Sequence, residues 1–190
     1  MAEGPTEVTV ALAGQPNVGK STVFNMLTGL NQHVGNWPGK TIEQKTGHFS
    51  YDSLRIRLVD LPGTYSLSAH SDEERIARDF ILRERPDAVV VIVNAAALER
   101  GLYLVAELMA LPAPVVVGLN MLDIAEQQGS RIDVAVLEAA LGVPVIALVA
   151  PKNRGVRDLV GAVTRLLAEP RAARPKAPEL APAHRPQLER

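Results

Sequence analysis

The chain has 190 residues, 47% of them hydrophobic and 22% charged, with a formal net charge of −1 and no cysteine. That length supports one domain with a sizeable core, and the near-neutral balance excludes a basic field for nucleic acid or anionic lipid over the whole surface. The lack of cysteine excludes disulfides, thiolate metal sites and thiol catalysis, and fits a reducing compartment. Met1–Glu7 is too short and polar for a secretory signal. The most apolar run, Ala88–Leu98, is broken by Asn94 and is too short to span a bilayer. The chain therefore reads as a soluble piece, compatible with belonging to a larger membrane protein.

In chain order, Thr6–Ala13 reads as a Val/Ala-rich strand and Lys20–Thr28 as a helix that Gly29 ends. Glu43–Tyr51 and Leu54–Asp60 alternate around Asp52 and Ser53, which predicts an antiparallel pair. Ser71-Asp72-Glu73-Glu74 has the S-x-x-E pattern of a capped helix start. Ala88–Asn94 and Val115–Asn120 are continuous apolar runs of the kind found in central strands buried on both faces. Leu98–Ala110, Ile132–Leu141 and Val156–Leu167 have helical spacing, and Val143–Leu148 is a last short strand. Strands alternating with helices predict an α/β fold with a mostly parallel sheet of about six strands, whose ligands lie beyond the carboxyl ends of the strands. Residues 1–168 form this domain. Residues 169–190, dominated by Pro, Ala and Arg, read as a flexible tail or linker.

Gly14–Ser21, GQPNVGKS, follows the first strand and opens the first helix, and it matches G-x-x-x-x-G-K-S. Gly14 and Gly19 let the backbone turn its N–H groups towards phosphate oxygens, and the helix N-terminus adds a favourable dipole. Lys20 supplies a point charge for the β- and γ-phosphates, and Ser21 a hydroxyl for Mg²⁺. Gln15, Pro16, Asn17, Val18 and Thr22 complete the candidate nucleotide cradle. The competing reading is a glycine-rich turn without a ligand.

Two further motifs fall at strand ends. Asp60-Leu61-Pro62-Gly63 places a carboxylate where a Walker-B Asp holds Mg²⁺, and Gly63 offers its N–H to a γ-phosphate. Asn120-Met121-Leu122-Asp123 places a carboxylate that can accept both the N1–H and the exocyclic amine of guanine, with Asn120 bracing the loop. Each motif is weak alone; in order, after a phosphate loop, they predict a P-loop GTPase of the Ras-like fold. Gly35–Thr41 (GNWPGKT) precedes a strand and is placed to reach over the γ-phosphate, with Thr41 as second hydroxyl for Mg²⁺. Trp37 reads equally as a hydrophobic anchor for that loop.

From about Val8 to Leu167 the chain resembles the cytosolic G domain of the FeoB ferrous-iron transporters. GQPNVGKS, NWPGKT, DLPGTYSLS, DEERIARDF and NMLD followed by A-E-Q-Q-G carry the resemblance; Met121 stands where most GTPases have Lys. The resemblance implies slow Mg²⁺-dependent GTP hydrolysis. It also implies stimulation by K⁺ held by Asn17 and by backbone carbonyls of Asn36 and Trp37. A monovalent cation there offsets developing charge as an arginine finger does; the plainer role for Asn17 is to stabilise its loop. It further implies a membrane permease partner, absent from this chain, and a place at the cytosolic face of the inner membrane. A second copy of the chain, as a homo-oligomer, is a further candidate partner.

Two departures stand out. Thr64 follows Gly63 where Ras-like proteins carry a water-orienting Gln, so no general base is assigned. Val149-Ala150 stand where the family has Ser-Ala; the Ala150 N–H remains available to guanine O6, without the supporting hydroxyl. A ribosome- or tRNA-associated GTPase and a module that binds nucleotide without hydrolysis are the alternative functions. His33, His48, His70 and His184 show no metal-ligand spacing, and Asp72-Glu73-Glu74 reads as the acidic first turn of a helix.

Overall fold

The computed structural model describes residues 6–168; the expected tail at 169–190, with His184, lies outside them. The strands are β1 (Thr6–Gly14), β2 (Gln32–Asn36), β3 (Glu43–Tyr51), β4 (Leu54–Asp60), β5 (Ala88–Asn94), β6 (Val115–Asn120) and β7 (Val145–Ala147). The helices are α1 (Lys20–Thr28), α2 (Asp72–Glu84), α3 (Leu98–Met109), α4 (Leu122–Gln127), α5 (Val134–Leu141) and α6 (Val156–Ala168). They build one sheet in the order β2-β3-β4-β1-β5-β6-β7. From β4 to β7 neighbouring strands are parallel, whereas β2, β3 and β4 pair antiparallel.

The period of two along the strands divides the core. Val10 and Leu12 of β1, Val90 and Ile92 of β5, and Val116 of β6 face α1 and α6, where they meet Val23, Phe24, Leu159 and Val163. The alternate residues Ala11, Ala13, Val89, Val91, Val93 and Val117 face α2 and α3, against Phe80, Ile81, Leu104 and Leu108. Burial on both faces explains why β5 and β6 are apolar without alternation. Parallel registers bring Leu12 beside Asp60, Gly14 beside Ile92 and Asn94 beside Asn120. The phosphate loop, Asp60 and Asn120 thus leave one edge of the sheet together.

Several elements differ from the sequence reading. The sheet has seven strands where about six were expected. The extra one, β2, is an edge strand with no buried side chain; it is held by backbone pairing to β3, so it carries no apolar alternation to read. Gly35 and Asn36, read as loop, belong to it. The last strand is confined to Val145–Ala147 within the expected Val143–Leu148. The short α4 was not foreseen. α2 begins as its pattern predicts, with the Ser71 hydroxyl accepting the Glu74 N–H at 3.1 Å.

Candidate nucleotide site

Gln15, Pro16, Asn17, Gly19, Lys20, Ser21, Thr22, Gly63 and Met121 line an open cleft of about 540 Å³. Two glycines make the turn possible. A Cβ on Gly14 would lie 2.8 Å from the Ile92 carbonyl oxygen. Gly19 has φ +88°, and a Cβ there would run into Asn120 Nδ2. Asn17 also adopts a left-handed conformation, at φ 64°, and its side chain is exposed at the cleft. Gln15 differs from its neighbours: its amide is buried and donates to the Arg100 carbonyl at 2.6 Å, fastening the loop to α3. Gln15 still lines the cleft.

The Lys20 ammonium bonds directly to Asp60 Oδ1 and donates to the Leu61 carbonyl at 2.7 Å. Both charged side chains are only 11% exposed. Burial pushes the Asp60 carboxyl up, against the opposing pull of Lys20 and, more weakly, Lys45. Lys45 sits opposite Asp60 across the β3–β4 pair. A hard cation with oxygen ligands fits here: Ser21 presents a hydroxyl at the start of α1, and the desolvated Asp60 gains by facing a cation. Among the described residues no group of three His, Cys, Asp or Glu side chains is arranged for a transition metal.

Asn120, 1% exposed and packed behind the phosphate loop, makes two bonds. Its Nδ2 donates to the Val18 carbonyl at 2.9 Å, and its Oδ1 accepts the Ala150 N–H at 3.0 Å. It therefore joins the phosphate loop to the segment after β7, and Val18 and Ala150 enter the site through their backbones. The Ala150 N–H, expected to face guanine O6, is used by Asn120. Val149 is buried and pairs its backbone with Arg154. Met121 takes φ 63° to begin α4 and turns its side chain into the cleft beside Gly19. Asp123 accepts the Ile124 N–H at 3.1 Å and the Lys152 ammonium at 2.9 Å. The Lys152 bond holds the Asp123 carboxyl below the ordinary aspartate range. Sequence reading missed Lys152; the only signal for it is that the loops after β6 and β7 must be neighbours.

The segment Gly35–Thr41, expected to reach over the γ-phosphate, does not line the cleft, Asn36, Trp37 and Thr41 included. Trp37 is buried, edge-on to Phe80 of α2 with ring centroids 5.6 Å apart, so the anchor half of its expected role is what this conformation displays. Its backbone closes a turn: the N–H donates to the Ile42 carbonyl and the carbonyl accepts the Lys40 N–H, both at 2.9 Å. Lys40 pairs with Asp72 at 3.0 Å, a second tie to α2, while Thr41 stays exposed.

The segment after Asp60 is held tightly. The Leu61 N–H donates to the Leu12 carbonyl at 2.9 Å and the Thr64 N–H to the Gly14 carbonyl at 3.2 Å. Thr64 is 5% exposed, so its side chain faces protein rather than the cleft. Glu74 accepts Ser66 Oγ at 2.8 Å and the His70 N–H at 2.9 Å. Burial works to raise the Glu74 carboxyl, but the bonds from Ser66, His70 and Ser71 outweigh it and leave it low. Glu107 of α3, itself buried, accepts the Leu67 N–H at 2.7 Å. Glu107 was also missed. Its signal is a carboxylate on the apolar stripe of α3, between Leu104 and Leu108.

A family model described as Ferrous iron transport protein B matches residues 8–163. The Fe(2+) transporter FeoB of Escherichia coli K12 is 48% identical over 166 residues, which cover 85% of this chain and 22% of that protein. The chain thus spans about a fifth of the length of the curated relatives it matches. Among solved structures, the G domain of T. maritima FeoB superposes with TM-score 0.79 at 40% identity, covering 86% of this chain and 99% of that one. A mutant of S. thermophilus NFeoB bound to GDP superposes with TM-score 0.79 at 43% identity, covering 84% of this chain and 62% of that one. The cytosolic domain of L. pneumophila FeoB, 46% identical, gives 0.80 over 83% of this chain and 63% of that one. The match across residues 8–163 and the agreement in fold establish that this chain belongs to the FeoB family of ferrous iron transport proteins and carries its G domain.

Proposed function

We propose that this domain binds GTP with Mg²⁺ and hydrolyses it slowly, with stimulation by K⁺, as the nucleotide switch of a ferrous-iron uptake transporter. The observation that carries the reading is that Lys20, Ser21 and Gly63 line one cleft, with Asn120 tying the phosphate loop to the segment after β7. The relative bound to GDP supports nucleotide as the ligand.

In this reading the backbone of residues 14–20 cradles the phosphates, Lys20 leaves Asp60 for them, and Asp123 reads guanine. Ser21, Asp60 and Thr41 are the Mg²⁺ ligands, and when bound the ion offsets phosphate charge. Gly63 donates its N–H to the γ-phosphate. Asn17 holds K⁺, joined by the Asn36 and Trp37 carbonyls once the turn at Trp37–Ile42 opens. A permease portion in the membrane is the partner, and the domain works at its cytosolic face. Among the described residues no helix is long and apolar enough to cross a membrane.

The deciding experiment is turnover of GTP in K⁺ and in Na⁺, with ATP as control. Turnover of GTP but not ATP, faster in K⁺ than in Na⁺, with the K⁺ stimulation abolished and nucleotide binding kept in Asn17→Ala, supports the proposal. GTP binding without turnover favours the second reading, a module that signals by binding alone. The burial of Thr64 gives that reading its one specific support, since the position after Gly63 offers the cleft no side chain.

A further inference from the structure

Glu107 is a carboxylate with an unusual setting. It is 5% exposed, on the face of α3 that packs into the core, and no cation pairs with it among the described residues. Its one side-chain hydrogen bond among the described residues reaches forty positions back along the chain, accepting the Leu67 N–H at 2.7 Å. Burying an unpaired carboxylate is unfavourable, and a residue such as Leu would fill this stripe at less cost. The compensation is local: the Leu67 amide is buried as well, and a charged acceptor makes a stronger bond to it than a neutral one.

Leu67 is the inner end of the segment that begins at Gly63. Between them, Thr64 is held at its N–H by Gly14 of the phosphate loop. Tyr65 lies under the Arg100 guanidinium, 5.1 Å from the ring centroid, and Gln15 of the phosphate loop donates to the carbonyl of that same Arg100. The stretch Gly63–Leu67 is thus fixed to the phosphate loop at one end and to α3 at the other. Leu67 also packs in the cluster that holds Trp37 and Phe80.

We infer that Glu107 is a positioning residue for GTP hydrolysis: by fixing the Leu67 amide to α3 it sets where the Gly63 N–H lies against the γ-phosphate. The inference rests on the hydrolase reading above. It concerns the transition state rather than nucleotide binding, because Glu107 touches only the far end of the segment that carries Gly63 and lies outside the cleft lining.

The test compares Glu107→Leu and Glu107→Gln with the parent chain. Glu107→Leu removes the acceptor while keeping volume. It should lower kcat for GTP about tenfold, equivalent to about 1.4 kcal/mol, and leave KM and GDP affinity within about twofold. Glu107→Gln keeps an acceptor oxygen and should recover most of the loss. Hydrogen exchange at the Leu67 amide in the GDP complex should speed up in Glu107→Leu, with the β5 and β6 amides unchanged. If Glu107→Leu does not fold, Glu107→Met serves in its place. An unchanged kcat, equal losses in kcat and GDP affinity, or a Gln variant as impaired as the Leu variant each overturns the inference. A parent chain with no GTP turnover overturns the hydrolase reading instead, a result that the parent measurement alone reveals.

Discussion

Lys20 and Asp60 bond to each other directly, although each belongs to a different motif and neither is far from the cleft. The pair explains how two desolvated charges are tolerated at one strand edge, and it defines what a triphosphate must rearrange. Lys20→Met leaves a carboxylate that burial already pushes up without its main counter-charge. Removing one partner of a buried pair costs up to about 3–5 kcal/mol; with both side chains still 11% exposed, the loss should fall below that range. Lys20→Met should therefore lose nucleotide binding and also melt earlier, whereas the double variant Lys20→Met/Asp60→Leu should regain stability without regaining binding. Titration with GDP and thermal melts of the three proteins check this. A single variant as stable as the parent would show that the pair is not a structural debt.

Gly19→Ala tests the bracing by Asn120. At φ +88° an added Cβ is strained by about 1–3 kcal/mol, and it also meets Asn120 Nδ2. Displacing that amide breaks the bond to Val18 and slackens the bond from Ala150. GDP affinity should fall at least tenfold, about 1.4 kcal/mol, with a lower melting temperature. Calorimetric titration giving parent-like affinity would show that Asn120 is a packing residue rather than a brace.

Much of this was legible in the sequence because it rests on period and spacing. The continuous apolar runs of β5 and β6 announced central strands, and the phosphate loop, Asp60 and Asn120 lie at the strand ends where their motifs placed them. The parts that escaped depend on partners distant in the chain. β2 is an edge held by main-chain bonds, so its side chains carry no signature. Gln15 stands in the motif and lines the cleft, but the bond from its Nε2 to the Arg100 carbonyl, 85 positions away, had no signal in the sequence. Lys152 and Glu107 find their partners only after loops from separate βα units come together. The position of Trp37 was open between two roles, and only its packing on Phe80 displays one of them.

Asp123 and Lys152 separate base recognition from a surface ion pair. Asp123→Asn should shift preference from guanine towards xanthine nucleotides, since the amide presents a donor where guanine needs an acceptor. Unchanged selectivity for GTP over XTP would remove Asp123 from the base site. Lys152 is 68% exposed, so solvent screens its pair with Asp123 and little stability rests on it. Lys152→Ala should leave GDP affinity unchanged or tighten it by no more than about fivefold, as Asp123 Oδ2 loses a competitor. A tenfold weakening would instead assign Lys152 itself to the base.

Glu107 makes a pH signature that differs in sign from that of a paired carboxylate. Burial raises its folded-state carboxyl above the ordinary glutamate range, with the nearby Glu74 adding to the rise and the Leu67 N–H opposing it. Across the window between the ordinary value and the raised one, the folded chain binds more protons than the unfolded chain. Stability from this group then falls as pH rises through that window and is constant beyond it on either side. Tyr103 on α3 and Glu74 on α2 are the ionisable neighbours, and both are present in parent and variant alike. Denaturant unfolding of the parent and of Glu107→Gln, from neutral pH down to the ordinary glutamate range, isolates the effect. The parent should gain stability relative to the variant as pH falls through the window. A difference between the two proteins that does not move with pH, or that moves the opposite way, would mean that Glu107 is not held as a desolvated carboxylate against Leu67.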